Sequence, residues 1–259
     1  MAQAAYADLD LSTIDELPLG RKPIETSVIS DIKRDQVINR IEQACKKDQR
    51  QVYWVCTLID ESEEIESQAA EAAYQQLSQQ LPSLKIGLVH GRLKSVEKNG
   101  VMRAFKQGEL DILVATTVIE VGVDVPNATL MIIENPERLG LSQLHQLRGR
   151  VGRGDKQSYC VLMYHAPLSG NAKQRLSIMR ETNDGFKVAQ QDLMLRGAGE
   201  VLGTRQTGEM LYRFADLARD SDLLPQVIKV AQNILLEYPH LIQPLSHRWL
   251  KSAGDLAKV

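Results

Sequence analysis

The chain has 259 residues, enough to bury a full core as one large domain or two modest ones, and its 43% hydrophobic and 25% charged composition is that of a folded globular protein rather than a disordered one. A formal net charge of -2 supplies no broad positive field, so contact with nucleic acid has to come from a local concentration of arginine and lysine, as at Arg148, Arg150, Arg153 and Lys156. No apolar run is long enough for a membrane helix, the three cysteines have no CxxC spacing and read as reduced buried thiols, and the five histidines show no HExxH pattern.

Residues 1–26 are acidic and then punctuated by Pro and Gly, without a sustained period, and read as a linker arm. Helix and strand signals then alternate. The pattern predicts a helix over Ile32 to Lys47, a strand from Gln51 to Thr57, a helix from Glu64 to Gln80, a strand from Lys85 to His90 and a helix from Lys94 to Gln107. Strands follow at Asp111 to Ala115 and Ala128 to Glu134, then a helix from Ser142 to Arg150 and a strand from Ser158 to Tyr164. Short apolar strands separated by helices predict an α/β domain over 27–168, a parallel sheet covered on both faces. After Pro167 the strand signals stop. Residues 169–259 read as helices interrupted by a Gly-rich break at Arg196 to Gly203, and no internal repeat is present.

Two segments carry the chemistry. The strand ending in Ala115-Thr116-Thr117 runs into a turn containing Gly122 and Asp124, and a later helix leads into Gln146-Leu-Arg-Gly-Arg-Val-Gly-Arg153. A threonine at the carboxyl end of a parallel strand can offer its hydroxyl and amide to a phosphate, although it can equally satisfy turn hydrogen bonds. Gly122 permits a backbone path closed to other residues, and Asp124 can accept from a ribose hydroxyl or an arginine. Arg150 and Arg153 are permanently charged forks suited to a transferring phosphoryl group, and their spacing predicts one shared helical face. The chain contains no GxxxxGK[ST] loop and no strand ending in a DExH box, so it is expected to be inactive alone and to be preceded by a partner half in a longer polypeptide.

These two segments resemble motifs V and VI of superfamily 2 helicases. Together with Val89-His-Gly-Arg-Leu-Lys94, Glu134 to His145, Asn183 to Gly197 and Gly203-Thr-Arg-Gln-Thr-Gly208, they resemble the RecG family of bacterial branched-DNA helicases along nearly the whole chain. The resemblance implies a second RecA-like motor domain followed by a helical hairpin, a translocation loop and further helices. It implies ATP and Mg as cofactors, held mainly by a first motor domain, and branched DNA as substrate in recombination and repair. It also implies an amino-terminal wedge in the same polypeptide, single-stranded-DNA-binding protein as a partner, and a place at the nucleoid in the bacterial cytoplasm.

On this resemblance Arg150 and Arg153 are the arginine fingers, while Gly122, Asp124 and Gln146 line the nucleotide cleft. His90, Gly91, Arg92, Thr116 and Thr117 contact DNA. Arg180, Gln190, Arg196, Arg205 and Gln206 belong to the translocation element, with Arg180 and Gln190 expected to hold the two hairpin arms in register. The alternatives are the motor of a transcription-repair coupling factor, which carries a similar translocation motif, and a regulatory nucleic-acid-binding domain without catalysis.

Overall fold

A computed structural model describes residues 22–57, 63–117, 125–201 and 223–249. The chain divides into two compact units, one ending at Asp192 and one beginning again at Leu193.

Within the first unit six strands, β1 (Glu25–Ser30), β2 (Gln51–Cys56), β3 (Ile86–Val89), β4 (Ile112–Ala115), β5 (Ala128–Glu134) and β6 (Tyr159–Tyr164), form one sheet in the order β1-β6-β5-β2-β4-β3. Every pairing is parallel. Each strand therefore needs a crossover, and α1 (Arg34–Asp48), α2 (Glu63–Gln80), α3 (Ser95–Lys106) and α4 (Leu141–Arg148) supply four of them. The central strands β2 and β4 are buried at every position, which is why they read as unbroken apolar runs. Val52, Trp54 and Cys56 share one face with Ile112 and Val114, beneath Ile38 and Ile41 of α1 and Ala70 and Leu77 of α2. Tyr53 faces the other way and meets Phe105 of α3 edge-on at 5.0 Å. Emptying the Trp54 site by substitution with alanine is expected to cost about 3–5 kcal/mol.

The sheet begins earlier than its pattern announces. Glu25 and Thr26, expected in the arm, are the first residues of β1, an edge strand whose exposed positions leave no apolar period to detect. The first unit also runs past Pro167, because α5 (Gly170–Glu181) packs on β1 and buries Ala172, Leu176 and Met179. Ser169 caps that helix, accepting from the amide of Ala172 at 3.2 Å. A second helix, α6 (Gly185–Val201), continues through Gly197 and Gly199, where a break was expected. The rest of that expected break, with Arg205 and Gln206, lies outside the described residues, and only backbone is described for Arg196. In the second unit α7 (Leu224–Glu237) and α8 (Ile242–Trp249) follow.

All three cysteines are buried. Burial pushes the thiols of Cys45 and Cys160 up to about 12, the latter in spite of Arg148 beside it, and pushes Cys56 upward as well, aided by Glu134. Thiolate is the reactive form. The folded chain is therefore expected to resist iodoacetamide at pH 8, with all three cysteines labelled once urea is added; rapid labelling of any of them without denaturant would contradict this packing.

Candidate functional site: two edges of one sheet

At the carboxyl ends of neighbouring strands β3 and β4, the structure brings together the residues expected at DNA. Val89 pairs with Ala115, and the amide of Thr116 donates to the carbonyl of Val89 at 3.3 Å, so His90 and Thr116 leave the sheet side by side. Both are buried, yet among the described residues His90 Nδ1 and Thr116 Oγ1 have no hydrogen-bond partner. A buried polar atom left unpaired costs about 1–3 kcal/mol, an expense more usual at a ligand site than in a core. Lys98 of α3 donates to the carbonyl of Gly91 at 2.7 Å, while Arg92 is exposed, 3.6 Å from Glu64. Thr117 is half-buried next to this pair; Gly122 and Asp124 lie outside the described residues.

The arginines occupy the opposite edge, and not by the helical spacing expected. Helix α4 ends at Arg148, two residues before Arg150. Two turn-like bonds follow, Arg150 N to Leu147 O at 3.0 Å and Val151 N to Arg148 O at 3.3 Å. Val151 is fully buried and plugs the loop into the core. Gly152 then takes a φ of +77°, a conformation that costs other residues about 1–2 kcal/mol, and a Cβ there would press on Ile24 at 3.1 Å. The chain emerges with Arg153 exposed. Gly154 abuts the segment entering β5 so closely that a Cβ would sit 2.7 Å from the carbonyl oxygen of Pro126. Ile24, Pro126 and Ser158 all precede strands, so the loop lies along the amino-terminal edge of the sheet.

Here a cleft of about 370 Å³ is lined by Lys22, Gln146, Arg150, Arg153, Asn183 and Gly185, among others. Its donors are amide, ammonium and guanidinium groups suited to phosphate oxygens. The two other members of the basic cluster are engaged with backbone carbonyls, and Arg148 lines the cleft as well. Lys156 donates to the carbonyl of Asp48 at 3.2 Å, and Arg148 is 2% exposed, with its guanidinium turned inward.

In the hairpin, Arg180 and Gln190 are both exposed, and among the described residues no hydrogen bond joins them, so the register of the two arms has another source. Two other arginines fasten the first arm: Arg148, expected above only as a member of the basic cluster, and Arg175, which sequence reasoning passed over. Arg175 of α5 donates through Nη2 to the carbonyl of Glu137 at 2.7 Å, tying the helix to the carboxyl end of β5. Arg148 Nη1 donates to the carbonyls of Met179 and Thr182 at 2.7 and 2.8 Å, tying the far end of the same helix to α4. Arg175 carries a detectable signal, since it falls on the turn that presents Ala172, Leu176 and Met179 inward.

Residues 33–155 match the family described as helicase conserved C-terminal domain, and residues 182–258 match ATP-dependent DNA helicase RecG, domain 3, C-terminal. The ATP-dependent DNA helicase RecG of Escherichia coli (strain K12) is 59% identical over 250 residues, covering 96% of this chain and 36% of that protein. The protein of the same description from Acidithiobacillus ferridurans is 54% identical over 259 residues, covering 100% of this chain and 38% of that protein. The chain thus spans little more than a third of the length of the curated relatives it matches. A solved structure of RecG bound to a three-way DNA junction superposes with a TM-score of 0.67 at 43% identity, covering 86% of this chain and 28% of that one.

The glycine contacts make the edge testable in the isolated chain. Gly154→Ala is expected to lower stability by about 1–3 kcal/mol, because backbone rather than a yielding side chain blocks the new methyl. Gly170→Ala, with nothing within 4 Å of the added atom, is expected to change stability by less than about 1 kcal/mol. Urea denaturation compares them, and equal midpoints would remove the close packing of Gly154 on Pro126 from the account.

Proposed function

The chain belongs to the RecG helicases, as their carboxy-terminal portion, and on that premise we propose that it forms the second motor domain and the translocation hairpin of an ATP-driven translocase acting on branched DNA, in a longer polypeptide. The observation that carries this reading is the loop holding Arg150 and Arg153 on an open cleft with Gln146, at the sheet edge opposite the His90 and Thr116 pair. ATP, when bound, supplies the phosphoryl group and its charge. The chain's own part is to present two guanidinium forks at a position fixed by Val151, Gly152 and Gly154, so that charge developing on the phosphoryl oxygens meets donors already in place. Gln146, exposed on the same cleft, adds an amide able to orient a water or a phosphate oxygen.

Among the described residues no group of three or more His, Cys, Asp or Glu side chains is placed to hold a metal ion. We assign the Mg that accompanies ATP to the first motor domain, and the splitting of forks and junctions to an amino-terminal wedge. His90, Gly91, Arg92, Thr116 and Thr117 track the DNA backbone in this reading, with Gly122 and Asp124 at the ribose. Work on stalled forks and Holliday junctions in the bacterial cytoplasm, and contact with single-stranded-DNA-binding protein, belong to the same proposal.

In the full-length protein, Arg150→Ala or Arg153→Ala is expected to lower DNA-stimulated ATP turnover by about 10³-fold, the scale of an arginine finger, with junction binding retained. Turnover within a few-fold of wild type in both variants would reassign the cleft.

Thr116→Val tests the other edge. It removes a buried hydroxyl that has no partner among the described residues, so stability is expected to hold or to rise by up to about 1 kcal/mol. The same substitution is expected to weaken DNA stimulation of turnover. Loss of stability with unchanged stimulation would make the hydroxyl a structural group.

A further inference from the structure

Arg148 is a charged side chain almost wholly removed from water, and among the described residues no carboxylate pairs with it. Its partners are the carbonyls of Met179 and Thr182, Thr26 Oγ1 at 3.4 Å, and His145 Nδ1 at 3.0 Å from Nη2. Burial lowers its pKa from the ordinary value, but a guanidinium keeps its proton at any working pH. Because arginine only donates, His145 must present the Nδ1 lone pair, which places the ring proton on Nε2. The carbonyl end of α5 supplies the negative potential that a carboxylate would otherwise provide.

The second contact is steric. Gly185, the first residue of α6, lies so close to His145 that a Cβ there would be 3.0 Å from Nε2. Side chains on one turn of α4 therefore touch both arms of the hairpin, the last turn of α5 through Arg148 and the start of α6 through His145. The peptide after Arg148 is Gly149-Arg150, the start of the arginine loop. Within the function proposed above, we infer that Arg148 and His145 are positioning residues, a clamp that moves the α5–α6 turn together with Arg150 and Arg153. A purely structural contact would not require a buried guanidinium, since an apolar side chain of similar volume commonly serves such a place as well or better.

The test uses the full-length protein, with ATP turnover and junction unwinding measured on one preparation. Arg148→Met is expected to keep DNA-stimulated turnover within a few-fold of wild type while unwinding falls by about tenfold or more, the range of an energetic coupling between sites. His145→Leu, which removes the acceptor, is expected to uncouple in the same way, and His145→Gln, which restores one through its side-chain oxygen, to recover unwinding. These two variants keep the proposal falsifiable if Arg148→Met fails to fold. A proportional fall in both activities, or no change in either, would overturn the clamp. Arg150→Ala in the same assay separates the two readings. If it retains turnover, the proposed function itself fails; if it loses turnover while the clamp variants stay coupled, only the clamp is wrong.

Discussion

A sheet whose strands all run one way sends every loop to one of two edges, and that constraint arranges everything else in the first unit. Each crossover leaves at a carboxyl end and returns at an amino end, so residues near in sequence are separated by the length of a strand. Thr116 follows β4 at one edge, whereas the segment entering β5 at Pro126 is already at the other, against Gly154. The single connection between β4 and β5 thus passes from the edge that presents buried, unpaired polar atoms to the edge that presents arginines.

Helix α5 makes the same passage on the outside of the sheet. Its 12 residues span about 18 Å. Arg175 fastens it to Glu137 beside the carboxyl edge, and Arg148 receives its final carbonyls at the amino edge. The two attachments differ in kind. Arg175 is partly open to solvent, although its Nε is buried. Arg148 is sealed, so loss of any one acceptor would leave part of a buried charge unsatisfied, and the cost of that loss exceeds the value of the bond itself.

The sheet was largely legible from sequence for a physical reason: strands buried on both faces, such as Val52 to Cys56 and Ile112 to Ala115, have to be apolar throughout, and helices between them have to be amphipathic. The edge strand β1 was not legible, since Glu25, Thr26 and Ser27 satisfy a backbone register rather than a core. The residues expected at the site were picked out by motif, but the geometry expected of the arginines differs from the one observed. Three-residue spacing suggested that Arg150 and Arg153 share a helical face, whereas Gly149 closes the helix and Gly152 reverses the chain. Arg180 and Gln190, expected to hold the hairpin arms in register, share no hydrogen bond among the described residues, for a related reason. Sequence spacing across a turn fixes how far apart two residues can be, not which way they point, and both point to solvent.

Arg148 shows why a motif read only as a set of ligand contacts undercounts its members. In a sequence, three arginines within six residues look alike, and the natural assumption gives all three to phosphate. Burial separates them: Val151 enters the core between the two cleft-lining arginines, and Arg148 enters it one turn earlier, where it reaches the carbonyl end of α5. Substituting lysine there would keep the charge and one donor group but not the planar fork, whose Nη1 serves two carbonyls while Nη2 serves an imidazole. The geometry of that fork, rather than its charge, makes the first arginine a part of the fold and leaves the other two for the cleft.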